Sequence, residues 1–351
     1  MDTMEETIKV GLASYGMSGE VFHAPLLHVH EGFELRAVCE RSRKKAAEKY
    51  PYIHSYSTYE ELLNDGEIEL VVVNTPDYLH FEMAKAALEA GKHVVVEKPF
   101  TITYGEADKL IRISRERGKL LSVFHNRRWD NGSLTVRQVL AEKLLGRLVL
   151  FESHFDRFRN YLQDSWKEKA GIGTGTVYNL GSHLIYEALD FFGEPKTVFV
   201  DIRAERTGSC VDDTFDILLG YPELKVLLRS SYLVKEPGPR YILHGTEGSY
   251  LKWGQDPQEE AMKAGKWPGT PGWGTEPHEF WGTLNTTING THFRGKIETL
   301  PGNYLAFYDN IFNAIRKGEE LIITPEKAAK VIRIIELAYQ SNKEQKVIAY
   351  S

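Results

Sequence analysis

From residue 8 to residue 124 the chain alternates short apolar runs with segments whose apolar positions recur every three or four residues. The runs Lys9–Ala13, Glu34–Cys39, Leu70–Val73, His93–Val96 and Leu120–Phe124 are short and rich in β-branched residues, as buried parallel strands are. Helix starts between them are signalled by Ser57-Thr58-Tyr59-Glu60 and Thr103-Tyr104-Gly105-Glu106, both of capping-box type. Strand–helix–strand repetition at this spacing predicts an α/β fold with a parallel, doubly wound sheet. The rhythm changes at Phe124–Asp130. A helical segment to about Leu145 is followed by an alternating run, Leu148–Arg157, and an apolar helix pattern that ends at Phe192. Across 197–253 strand-like runs such as Thr214–Tyr221, Leu224–Tyr232 and Tyr241–Gly245 lie too close together for crossover helices, which predicts a largely antiparallel sheet. Residues 254–303, rich in glycine and proline, read as long loops in which Trp253, Trp267, Trp273 and Trp281 call for burial. A last helix opens at Thr324-Pro325-Glu326 and carries the stripe Ala328, Val331, Ile332, Ile335, Ala338.

The candidate chemistry begins at Val94-Val95-Val96-Glu97-Lys98-Pro99. A buried strand delivers a carboxylate and an ammonium to its carboxyl end, where open α/β sheets hold ligands. Pro99 biases Lys98 toward an extended backbone. The first strand runs into Ser14-Tyr15-Gly16-Met17-Ser18-Gly19, a GxGxxG fingerprint with serine at the first glycine. Its roles are a tight turn, close approach to a pyrophosphate, and helix–strand packing. Ser14, Gly16, Met17, Ser18 and Gly19 are therefore candidate cofactor contacts, with helix N-terminal amides on the phosphates. The second strand ends in Cys39-Glu40-Arg41-Ser42-Arg43-Lys44. Glu40 fits the ribose hydroxyls of NAD and repels a 2′-phosphate, whereas Arg41 and its basic neighbours attract the phosphate of NADP. Both cofactor forms stay open. In Asn74-Thr75-Pro76-Asp77-Tyr78-Leu79-His80, small and turn-forming residues let the chain pass under a nucleotide. Thr75 and Pro76 are candidate contacts there. His80 reads as a helix-surface histidine rather than a catalyst and is kept among the cofactor candidates, as are Glu97, Lys98, Asn126 and Arg127.

In the second half Arg159, Tyr161 and Trp166 cluster in a loop that suits either a polar polyol pocket or an interface rim. Further on, Gly173-Thr174-Gly175-Thr176-Val177-Tyr178-Asn179-Leu180-Gly181-Ser182-His183 places Asn179 and His183 four apart, on one face of a helix that begins early enough. Histidine is the commonest general acid or base near neutral pH.

Composition narrows the class. The 351 residues, 42% hydrophobic and 26% charged, suit about two globular domains. They are expected as 1–125, a dinucleotide-binding Rossmann domain, and 126–351, a substrate-binding and oligomerisation domain whose last helix packs back toward the first. The net charge of −6 argues against nucleic acid or an anionic membrane as partner. Two cysteines, Cys39 and Cys210, make neither a disulfide framework nor a zinc site, and no metal-ligand spacing is present. With no signal core and no span-length apolar run, a cytoplasmic location is expected.

The ordered set YGMSGEVFHAPLL, NTPDYLH, EKPF, FHNRRWD and GTVYNLGSHL resembles the glucose–fructose oxidoreductase / inositol dehydrogenase / rhizopine catabolism (Gfo/Idh/MocA) family over nearly the whole chain. FHNRRWD, SWKEKAGIGTGTVYNLGSH and GPRYILHG resemble its NADP-dependent scyllo-inositol dehydrogenase branch. The resemblance implies a Rossmann domain followed by an α/β domain with an open antiparallel sheet, and a homodimer or homotetramer. It implies NAD(P)-dependent hydride transfer to or from a cyclic polyol or sugar. Lys98 would be the active-site lysine and His183 the acid or base. Asn179 stands where the family commonly has aspartate, and Tyr186 where an aspartate often follows the histidine. An amide can hold a hydroxyl but cannot stabilise an imidazolium by charge. The same fold hosts NAD-dependent glycosidases that oxidise transiently and nucleotide-binding regulators without turnover, and these remain the alternatives.

Overall fold

The computed structural model describes residues 6–350. The chain divides into two compact units. The first comprises the residues up to Trp129 together with Gln258–Trp273 and Asn303–Ala329, and the second comprises Asp130–Pro257, Gly274–Gly302 and the residues from Lys330 onward.

The first unit holds six strands, β1 (Ile8–Leu12), β2 (Phe33–Cys39), β3 (His54–Tyr56), β4 (Leu70–Val73), β5 (His93–Val96) and β6 (Leu121–Val123). All pair in parallel, in the order β3-β2-β1-β4-β5-β6. This is the doubly wound arrangement expected from the sequence. Val94, Val95 and Val96 are fully buried, as the apolar run required. Register aligns Val73 with Val96 and Val96 with Val123, so the residues after each strand share one edge. The order reverses between β1 and β4, and such a reversal opens a crevice at the carboxyl ends. The helix Tyr104–Arg117 is capped as read, by Thr103 with Glu106. The helix Tyr59–Asn64 is capped by Thr58 with Glu61, one residue later than read.

The second unit holds β7 (Leu148–His154), β8 (Thr197–Arg203), β9 (Thr214–Gly220), β10 (Lys225–Ser231), β11 (Tyr241–Gly245), β12 (Gly248–Lys252), β13 (Gly282–Ile288), β14 (Thr291–Ile297) and β15 (Ile348–Ala349). They form one sheet in the order β14-β13-β12-β11-β7-β10-β9-β8-β15. Only β7 and β10 pair in parallel; the sheet is mixed and mostly antiparallel. One face is core, with Val198, Val200, Phe215, Ile217, Val226 and Leu228 buried. The other face carries Phe199 and the ion pairs Arg203–Asp201 and Arg229–Asp216.

Two expectations are corrected. Residues 254–303 are not long loops, because β13 and β14 form a hairpin and Gln258–Lys263 is a helix. The hairpin turns at Asn289 and Gly290, both at positive φ (50° and 79°), the two-residue turn that Asn-Gly favours. The tryptophans in and beside that region are not buried: Trp253 is 38% exposed and Trp267, Trp273 and Trp281 are partly exposed. The final helix, Pro325–Glu344, begins where read, and its stripe is buried. Among the described residues no helix is long and apolar enough to cross a membrane, and no cluster of three or more metal-ligating side chains occurs.

Candidate functional site

The carboxyl edge of the first sheet is built from loops that hold one another. Asn74, after β4, clasps Ser14, after β1: the Ser14 amide donates to Asn74 Oδ1 (2.9 Å) and Asn74 Nδ2 donates to the Ser14 carbonyl (2.8 Å). Ser14 Oγ accepts from the Gly16 amide (3.2 Å), so a side chain supports the turn that a glycine would otherwise make. Ser14 needs no positive φ to do this. The helix opens at Met17 and passes through a π-helical turn, Gly19–His23, before becoming α-helical at Ala24. A Cβ on Gly19 would lie 2.6 Å from the Ser14 carbonyl oxygen and 2.8 Å from Asn74 Nδ2. Gly16 has room, its nearest neighbour being Ser14 Oγ at 3.5 Å. The packing role of the fingerprint therefore falls on Gly19. Nearby, Thr75 Oγ1 is buried at the tip of β4 without a hydrogen-bond partner. A cradle closed by Gly19, a helix N-terminus at Met17 and a spare hydroxyl suit a dinucleotide.

After β2, Glu40 turns its carboxylate back onto its own turn. Its oxygens accept from the Lys45 amide (2.8 Å), the Ala46 amide (3.3 Å) and Ser55 Oγ (2.9 Å). Arg41, Ser42, Arg43 and Lys44 are exposed.

His80 is not on the helix surface, as the sequence had suggested, but buried. Its Nδ1 lies 2.8 Å from the Pro99 carbonyl and its Nε2 3.0 Å from the Thr75 carbonyl. It ties the loop after β4 to the loop after β5. Glu97 is buried there too, and its Oε2 accepts the Lys98 amide (3.0 Å). The Lys98–Pro99 peptide is cis. Burial drives the Glu97 carboxyl upward, but its bond to His23 and the nearby cationic groups outweigh burial and hold it below the usual range. His125, after β6, is pushed down to about 3 by burial and by the Lys98 ammonium. Asn126 is buried. Arg127 binds Glu259 (2.5 Å); burial raises that carboxyl, yet Arg127 and Lys263 bring it down to about 2. His23 and His125 lie in motifs that carry the family resemblance, but neither had an assigned role. Their residue type was visible; their burial beside Glu97 and Lys98 was not.

In the second unit Asn179 lies on a π-helical turn, Val177–Gly181, and His183 on the α-helix Ser182–Phe192 that continues it. His183 is buried, its ring stacked 6.3 Å from Phe155. Lys167, next to Trp166 and given no role by the sequence, donates from Nζ to Asn179 Oδ1 (3.2 Å). Lys167, Asn179, Arg159 and Arg206 line a cavity of about 40 Å³, room for a hydroxyl or a water rather than a sugar ring. Tyr161 and Trp166 do not line that cavity; Tyr161 is 60% exposed and Trp166 opens a short 3-10 turn. Arg159 donates to Gln163 Oε1 (2.8 Å) and lies over the Tyr232 ring.

Comparison with known proteins agrees with this layout. Residues 8–125 match the Gfo/Idh/MocA oxidoreductase family's NAD-binding Rossmann fold, and residues 137–349 its C-terminal alpha/beta domain. The chain is 42% identical to scyllo-inositol 2-dehydrogenase (NADP(+)) IolW of Bacillus subtilis over 98% of this chain and 96% of that protein. The solved structure of YvaA from Bacillus subtilis superposes with a TM-score of 0.95 at 40% identity, covering 99% of each chain. One from Bacteroides fragilis does so at 0.91 and 47% identity, covering 98% of this chain and all of that one. A fingerprint cradle on a parallel sheet, an EKP turn beside it and both family domains in sequence leave one assignment: the chain belongs to the Gfo/Idh/MocA family of NAD(P)-dependent oxidoreductases.

Proposed function

We propose that this enzyme transfers a hydride between a nicotinamide cofactor and a cyclic polyol, with scyllo-inositol and its ketone as the first candidate pair. The observation that carries the reading is the EKP turn, where a buried, hydrogen-bonded Glu97 sets Lys98 at the carboxyl edge of the Rossmann sheet. The choice of inositol rests on the relative named for that activity.

The cofactor would be held by the Ser14–Gly19 turn and its helix N-terminus, with Thr75, Pro76 and Asn126 beside it. When bound, it supplies the hydride acceptor or donor. Lys98 places positive charge next to the oxygen that develops as alkoxide or ketone. His183 takes the hydroxyl proton on oxidation and returns it on reduction. Asn179, whose carbonyl oxygen accepts from Lys167, is assigned to a substrate oxygen as the amide beside His183. Arg159 belongs with this polar group, while Tyr161 and Trp166 are assigned to the rim of the substrate loop. NADP is the form that the turn after β2 supports. Glu40 spends its oxygens on backbone amides and Ser55, and the basic residues beyond it are exposed. Residues 1–125, with Asn126, are assigned to the cofactor and the remainder of 126–351 to substrate and self-association. The open face of the second sheet is the surface for a homodimer or homotetramer, and a cytoplasmic enzyme is proposed.

The test is a matrix of inositol isomers and aldoses against NAD⁺ and NADP⁺, read by nicotinamide absorbance. Turnover of an inositol, faster with NADP⁺ at low cofactor concentration, is expected. Lys98→Ala is expected to lower kcat by at least about a hundredfold, in the range of lost electrostatic stabilisation, and to change cofactor Kd by less than about threefold. Glycoside cleavage without net reduction, tight cofactor binding without turnover, or near-normal kcat in Lys98→Ala would overturn the reading.

A further inference from the structure

Beneath the tip of β5 lies a chain of three buried groups that the proposed reaction does not use. The Glu97 carboxylate can only accept. One oxygen takes the Lys98 amide at 3.0 Å, and the other lies 3.1 Å from His23 Nε2. His23 therefore carries a proton on Nε2. The Tyr308 hydroxyl lies 2.7 Å from Nδ1. His23 and Tyr308 have no solvent exposure. Burial, and then the Glu97 charge, raise the Tyr308 hydroxyl far above its ordinary range, so it stays protonated, and to a bare Nδ1 it donates. The Tyr308 ring packs against Phe33, Phe124 and Phe307, with centroids 5.5, 6.1 and 5.2 Å away. The π-helical turn Gly19–His23 ends on this histidine, and a single extra residue in a helix turn is a known way to re-aim a side chain at a functional site.

We infer that Tyr308 and His23 are positioning residues for the reaction: they lock Glu97 as a charged, oriented carboxylate, and Glu97 fixes the backbone and the ammonium charge of Lys98. The inference rests on the role proposed for Lys98. The titratable groups facing Glu97 are His23, Tyr308, His80, His125 and Lys98, and His125 faces Lys98 as well. His125 is held neutral at working pH, so it adds no competing charge. His23 Nε2 on one oxygen and the Lys98 amide on the other hold the Glu97 carboxylate in place beside Lys98. Tyr308→Phe opens Nδ1 to a proton. The ring is then free to carry its proton on Nδ1, Glu97 loses its donor, and the carboxylate is free to turn away from Lys98, which would lose its proton at lower pH.

The first test uses the protein without cofactor. Nitrogen NMR of ¹⁵N-histidine-labelled protein, with His23→Gln to assign the resonance, should show His23 protonated on Nε2 and bare on Nδ1. The second uses the inositol that responds best with NADP⁺. In Tyr308→Phe the alkaline limb of kcat/KM should move to lower pH by up to about one unit, the scale of a lost neighbouring charge. Glu97→Gln should move it in the same direction. His23→Gln, which keeps a donor for Glu97, should retain at least about tenfold more kcat than His23→Leu. A His23 ring protonated on Nδ1 alone, or a limb that stays in place in Tyr308→Phe whatever happens to its melting temperature, would overturn the relay. If Lys98→Ala keeps its turnover, the underlying reading fails instead; if it loses turnover while Tyr308→Phe keeps both kcat and limb, the relay fails alone.

Discussion

Gly19 and Gly16 belong to one fingerprint but carry different loads. Gly19→Ala puts a methyl against a backbone carbonyl and the Asn74 amide, neither of which can move without opening the clasp. Overpacking of this kind costs about 1–3 kcal/mol. Gly19→Ala is expected to lower the melting temperature and weaken cofactor binding together, whereas Gly16→Ala should leave the melting temperature within about a degree, the scale of a small change in stability. Thermal unfolding of both variants with and without NADP⁺ checks this. The serine at position 14 was legible as a departure from the fingerprint, but its compensation was not, because Ser14 Oγ works on an amide two residues away. His80 was misread for a related reason. A histidine opening a helix looks like surface chemistry, and nothing in the local pattern shows that its partners are the carbonyls of Thr75 and Pro99.

At the scale of elements, legibility followed contrast between neighbouring residues. The valine-rich strands β4 and β5 were bounded to the residue, and Thr103 with Glu106 announced their helix. The short edge strand β3, His-Ser-Tyr, has no apolar run and was not seen. The helix Leu305–Lys317 was hidden behind a proline- and glycine-bearing approach, although Phe307, Tyr308 and Ile311 mark its buried face. The two π-helical turns have ordinary helix composition and no sequence signature. The β13–β14 hairpin was missed because glycine, proline and tryptophan around it suggested loop, although Asn289-Gly290 between alternating residues is itself a hairpin signal. Gly290 holds a left-handed φ of 79°. Gly290→Val is expected to destabilise the second unit by about 1–3 kcal/mol, read as a lower denaturation midpoint, with little effect on cofactor affinity.

For the molecule as a whole, several buried and partly buried groups bias stability in the same direction along the pH axis. Burial and Lys119 bring His93 down to about 4, and burial and Lys98 bring His125 to about 3, from an ordinary 6.5. The unfolded chain takes up these protons below about pH 6.5, while the folded chain refuses them until far lower, so stability falls as pH drops from there. Glu259, brought from 4.5 to about 2 chiefly by Arg127 and Lys263 against its burial, adds to the loss below about pH 4.5. The melting temperature should be level above pH 7, decline below 6.5 and steepen below 4.5; His93→Asn with His125→Asn should flatten the first decline and leave the second. The clasp between Ser14 and Asn74 has a kinetic consequence. Its two hydrogen bonds and the tight seat of Gly19 mean that the phosphate loop is already shaped before a nucleotide arrives, so little chain entropy remains to be lost on docking. Rapid-mixing fluorescence should therefore find NADPH association rising linearly with concentration, as for a rigid socket, with no plateau from a slow rearrangement.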